Sequence, residues 1–201
     1  MLMIDANGAV VDARVKGALN TTIERGAMRT VKGIIVHQTG APTAQSTLES
    51  YKNTSANGAH FLIARDGTIY QTASLFKKTW HIGKLKARCV LENTCSPAEL
   101  KASKRFNPTA EHKREMAKKA PARYPSNDDS IGVELVGEAL PKGDKLPESK
   151  KTYQSVTDEQ NSSLKWLISE LSLTLGVSMS EIFRHPDVSR KNPTEASTAR
   201  W

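Results

Sequence analysis

The chain has few cysteines, few aromatics and no long apolar run. Its two cysteines, Cys89 and Cys95, stand six positions apart and are too few for a four-ligand zinc ribbon. They leave two readings, a pair of free thiols or a small disulfide-closed loop that needs an oxidising compartment. No apolar stretch approaches the roughly 20 residues of a membrane helix, so no membrane span is expected. Aromatic residues make up 5% of the chain and do not interleave with the lysines. A base-stacking platform needs that interleaving, so nucleic acid is set aside as a partner. The segment from Met1 to Val15 carries Asp5, Asp12 and Arg14 among its apolar residues. A standard secretory signal has a basic start and then an apolar core, so none is expected here.

What remains is an ordinary globular composition: 201 residues, 38% hydrophobic and 25% charged. That length supports one core. Lysine and arginine total 29 against 21 acidic residues, a net charge of +8. Between Lys77 and Lys119 there are twelve Lys or Arg and four Glu, so one segment carries the whole excess. A basic balance of this kind speaks to anionic partners, such as an acidic wall polymer or a membrane surface, and not to fold.

The β-branched run Val31–His37 reads as a buried strand, closed by Gly40 and Pro42. Thr43–Asn53 reads as a short helix. His60–Arg65 and Thr68–Gln71, joined by Asp66-Gly67, read as a hairpin. From Lys84 to Asp129 the pattern is lost among prolines and lysines, which predicts a basic insertion over 84–129 with one helix near Ala110–Lys119. Ser130–Val136 reads as a strand, and a polar loop follows over Leu140–Lys151. The clearest helix spans Asp158–Leu175: Thr157 and Gln160 fit a capping box, and Gly176 fits the C-cap. Strands mixed with helices predict a single α/β domain over residues 1–201, with 1–30 as an N-terminal extension.

Five histidines occur: His37, His60, His81, His112 and His185. Most histidines are structural or solvated. His37 stands out because it ends a buried strand, where a side chain leaves the core for a cleft. His185 opens a polar loop. Sequence spacing alone does not bring the two to one metal. Glu134 lies in an apolar strand, where an unpaired carboxylate is costly to bury. It either points to solvent at an edge or serves as a desolvated general base. On charge alone, Lys191 reads as a surface lysine.

Five blocks stand in order: Ile34–Thr39 (IIVHQT), Gly58–Gln71 (GAHFLIARDGTIYQ), Trp80–Gly83 (WHIG), Asn127–Leu135 (NDDSIGVEL) and Arg184–Lys191 (RHPDVSRK). Together they resemble the zinc-dependent N-acetylmuramoyl-L-alanine amidases. This is the amidase-2 family, related to peptidoglycan recognition proteins and T7-type lysozyme. The resemblance implies a central mixed β-sheet flanked by helices, one Zn2+ ion and peptidoglycan as substrate. His37 and His185 match zinc ligands, Glu134 the carboxylate that activates water, and Lys191 the lysine that stabilises the oxyanion. His60 and His81 match histidines around the cleft, and with Trp80 they are expected at the substrate. The family's third ligand usually lies two residues after the lysine, where this chain has Pro193. Glu195, ten residues after His185, is the expected substitute, and Asp187 is its competitor. The bond implied joins N-acetylmuramic acid to L-alanine. A binding module without catalysis is the alternative from another class. The context stays open between a phage endolysin, a type VI secretion effector (whose producer needs an immunity protein) and a cytoplasmic recycling enzyme.

Overall fold

The computed structural model describes residues 1–143 and 146–201. The first thirty residues are woven into the body rather than appended to it. Strands β1 (Met3–Ile4) and β2 (Val10–Val11) pair antiparallel, and β3 (Val15–Gly17) joins the main sheet along β7 (Ile69–Gln71). Leu2, Val10 and Met28 lie in the main core. A further strand, β4 (Glu24–Ala27), pairs with β8 (Lys77–Thr79).

The main sheet is mixed. Its centre is β5 (Gly33–Gly40) parallel to β9 (Ser130–Leu140), with β11 (Ile182–Arg184) outside β5. On the other side β6 (Phe61–Ile63) runs parallel to β9 and forms a hairpin with β7. The turn at Asp66-Gly67 closes that hairpin, with Gly67 at φ +82°, a conformation that glycine adopts without strain. Strand β10 (Thr152–Tyr153) pairs antiparallel with the end of β9. Of the loop expected over 140–151, Leu140 belongs to β9 and Glu148–Lys150 form a 3-10 turn; residues 144–145 lie outside the described residues.

Side chains alternate across a strand, and this alternation divides the sheet's two faces. Ile34, Val36, Phe61, Ile63, Ile131, Val133 and Leu135 share a core with helix α5 (Asp158–Leu175), which contributes Leu164, Leu167, Ile168 and Leu171. The start of α5 is fixed as its sequence requires: Thr157 Oγ1 accepts from the Gln160 amide at 3.1 Å, and Gln160 Oε1 accepts from the Thr157 amide at 3.1 Å. The same Gln160 donates from Nε2 to the carbonyls of Ile63 and Val136, tying the helix to two strands.

The opposite face carries the short helix α1 (Ala44–Ser50), capped by Thr43, and the basic insertion. The insertion is more ordered than its sequence suggests. It folds into α2 (Arg88–Leu91), α3 (Pro97–Ser103) and α4 (Pro108–Met116). Cys89 and Cys95 are joined in a disulfide. Arg88 donates through Nη1 and Nη2 to Glu181 at 2.8 and 2.9 Å, and Arg123 pairs with buried Asp129. His112 belongs to this packing, accepting from the Leu85 amide at 3.1 Å.

Candidate active site

Register sets the first two site residues. His37 on β5 and Glu134 on β9 are direct Cα partners, and both belong to the alternation class that points away from α5. Strand β11 runs parallel to β5 with Arg184 opposite Val36, so the next residue, His185, emerges level with His37. His185 opens helix α6 (His185–Val188). The two imidazole centroids are 4.3 Å apart, and both rings are almost wholly buried.

The third residue comes from the tail. Ala196 takes φ +52°, and its amide donates to Gln38 Oε1 at 3.1 Å. Arg184 donates from Nε to the Ala196 carbonyl and from Nη2 to the Ala199 carbonyl. These bonds turn the tail back onto the sheet and press Glu195 inward, where its Oε1 lies 3.0 Å from His185 Nδ1 and 3.6 Å from His37 Nδ1. Asp187, the competing acid, is used elsewhere: its carboxylate accepts from the Arg184 amide at the start of α6.

The electrostatics follow from burial and proximity. Burial, and then the neighbouring His185, lower the His37 pKa to about 4. Burial alone would raise Glu195, but hydrogen bonds from His185 and His37 outweigh it and hold the acid at about 2. Glu134 moves the other way, to about 8, raised by burial and then by the Glu195 charge, while Lys191 opposes both. Among the described residues three buried side-chain atoms lack a hydrogen-bond partner: Tyr51 Oη, Glu134 Oε2 and His185 Nε2. Ligand atoms of His37, His185 and Glu195 all lie within 4.8 Å of one another. Two imidazoles and one carboxylate fit a divalent cation, and this donor chemistry suits zinc.

The cleft over these residues is walled by Asn57, Trp80, Tyr153 and Lys191. It continues into a second hollow bounded by Glu138, Lys142, Lys151 and Asn192. Trp80 is 54% exposed at the rim. His60 does not line the cleft, contrary to expectation. It is 0% exposed, donates from Nε2 to the Lys77 carbonyl at 2.8 Å and accepts at Nδ1 from the Gly132 amide at 3.0 Å. His81 borders the cleft, but its two ring nitrogens face His37 and Ser130. Gln38, Tyr51 and Tyr153 were not singled out from the sequence. Gln38 directly follows His37, and that adjacency is the one signal for it in the sequence.

Residues 27–196 match the N-acetylmuramoyl-L-alanine amidase family. The chain belongs to this family. As a member, it is an amidase of peptidoglycan. No curated protein sequence matches this amidase. Its fold is similar to a selenomethionine derivative of AmpD, with 18% identity, a TM-score of 0.53 and coverage of 94% of this chain and 89% of that one. It is similar also to the catalytic domain of XlyA, with 19% identity, a TM-score of 0.52 and coverage of 88% and 87%. A third likeness is to AmpDh3 from Pseudomonas aeruginosa in complex with an anhydromuramic pentapeptide, at 20% identity and a TM-score of 0.52, covering 95% of this chain and 60% of that one.

Proposed function

We propose that this amidase is zinc-dependent and hydrolyses the amide between the lactyl group of N-acetylmuramic acid and L-alanine. The observation that carries the reading is the convergence of His37, His185 and Glu195 beside the unpartnered carboxylate oxygen of Glu134. His37, His185 and Glu195 would hold the ion. When bound, zinc lowers the pKa of water and polarises a carbonyl.

The chain's own groups then have distinct tasks. Glu134, as carboxylate, accepts a proton from the attacking water. As the carbon–nitrogen bond breaks, it returns that proton to the departing alanine nitrogen. The products are a lactyl carboxylic acid and a free peptide amine. Lys191 keeps its ammonium at the cleft, where it favours the oxyanion of the tetrahedral intermediate. Glu134 stands at about 8 with Lys191 already acting on it, and a cation held by the neighbouring ligands would lower it further and prepare it as a base at neutral pH. Trp80 offers an exposed indole face to a sugar or peptide.

A muramyl peptide is the ligand in the AmpDh3 complex. The same class of substrate suits the cleft here. The reading as a binder without catalysis rested on a missing third ligand, and Glu195 supplies that donor. The Cys89–Cys95 disulfide favours an oxidising site of action, and the +8 segment from Lys77 to Lys119 favours an anionic wall. Both support a lytic role, as an endolysin or a secreted antibacterial effector with its immunity protein, over cytoplasmic recycling. The test is mass spectrometry of products from purified peptidoglycan, with and without chelator. Release of intact stem peptides that stops on chelation is expected. Cleavage at any other bond, or cleavage indifferent to chelator, overturns the proposal.

A further inference from the structure

His81 lies behind His37, on the side away from Glu195. His37 Nε2 and His81 Nδ1 are 2.9 Å apart, with the rings edge to face at 81°. On its far side, His81 Nε2 is 3.2 Å from Ser130 Oγ. The Ser130 hydroxyl has a single proton and gives it to the Ser126 carbonyl at 2.6 Å. A carbonyl only accepts, so the direction of that bond is fixed. Toward His81, Ser130 is therefore an acceptor, and the His81 proton belongs on Nε2. His81 Nδ1 is left with a lone pair, which faces His37 Nε2.

The backbone locks this ring in place. Asn127 Oδ1 accepts from the amides of His81 and Ile82 at 3.0 and 2.8 Å, and Asn127 Nδ2 donates to the Ile82 carbonyl at 2.9 Å. The ring lies over Gly132, where an added Cβ would stand 2.8 Å from His81 Nδ1. A side chain there would force the ring to shift.

We propose that His81 is a positioning residue which, backed by Ser130, keeps the His37 proton on Nε2 and the His37 Nδ1 lone pair toward the cation site. This rests on the reading of His37 as a ligand. A ligand histidine whose second nitrogen is held by a neighbour keeps one tautomer and one ring orientation. Here the neighbour is another imidazole, so the proton order must be imposed from further back, by the Ser126 carbonyl. His81 then serves the ion rather than the substrate.

The test has two arms. Nitrogen-15 NMR of the imidazoles in the metal-free protein should place the protons of His37 and His81 on Nε2, and Ser130→Ala should relax His81 into a mixture of tautomers. Zinc affinity is then measured by chelator competition. Removing such a partner typically weakens binding by about 10- to 100-fold. His81→Ala should show that loss. His81→Asn, whose Oδ1 replaces the Nδ1 acceptor, should recover most of it. Should His81→Ala misfold, Ser130→Ala carries the arm, with a smaller loss expected. Wild-type zinc affinity in His81→Ala, with KM alone raised, overturns the proposal and returns His81 to the substrate. So does a wild-type His37 proton found on Nδ1. His37→Ala separates the underlying reading: if it binds zinc as the wild type does, His37 is no ligand and both claims fall.

Discussion

His37 and Glu134 are register partners on adjacent parallel strands, so one ladder sets the proposed cation ligand beside the proposed base. A slip of one residue between β5 and β9 would turn one of them into the α5 core. The placement is thus guarded by the apolar partners on either side, Val36 with Val133 and Ile34 with Ile131.

The first consequence concerns Glu134→Gln. The amide keeps the shape but accepts no proton. Turnover should fall by about 100- to 10,000-fold, the usual contribution of a positioned base. Zinc content per chain, read by metal analysis, should stay at the wild-type level. Amide cleavage retained at the wild-type rate would remove Glu134 from the mechanism.

Glu134 and Glu195 should also shape stability against pH, in opposite directions. In the metal-free protein Glu134 moves from 4.5 to about 8, so between those values the folded chain holds a proton that the unfolded chain has lost. Stability therefore falls as pH rises through that window, by at most about 1.4 kcal/mol per unit. Melting at pH 5 and pH 8 without metal should show Glu134→Gln gaining on the wild type at the higher pH. Glu195 moves from 4.5 to about 2, so its contribution is present above pH 4.5 and is lost on acidification toward 2. Glu195→Gln should flatten that acid limb. Unchanged curves for both variants would contradict these assignments.

Arg184→Ala tests how the tail is held. It removes two donors, those to the Ala196 and Ala199 carbonyls, and a cation–π contact with Trp201. Two partly buried hydrogen bonds to a charged group are worth at most about 3–6 kcal/mol together before relaxation. Zinc affinity should fall with stability, because Glu195 depends on the same turn. Chelator competition that finds affinity intact would mean that Gln38 alone positions the acid.

Reduction of Cys89–Cys95 should cost little outside the insertion. The bridge spans six positions, and loop-closure entropy for so short a loop gives about 2 kcal/mol. Hydrogen exchange should rise through α2 and α3 and leave β5 and β9 protected. Exchange rising across the whole sheet would show that the insertion is integral to the core.

How much of this could be read from the sequence depended on periodicity. Helix α5 was legible end to end, because its caps and its leucine stripe are both local signals. Strand β5 was legible through its β-branched run. The insertion was not: α2 and α3 have four and seven residues, too short for an apolar stripe, and lean on a disulfide and on Arg88–Glu181. The N-terminal strands were missed because two- and three-residue pairings leave almost no pattern. At the site, block order singled out His37, His185 and Glu134, and the ten-residue offset from His185 singled out Glu195. His60 was misplaced for a physical reason: a motif histidine beside a cleft and one beneath it look alike until the partners of both nitrogens are known.

Gly132 carries a consequence for anyone redesigning this protein. A single methyl there would crowd an imidazole behind the chemistry, so a restriction on the enzyme falls on a position that contributes no functional group at all. Screens that look for sensitive sites only among reactive side chains would pass it by.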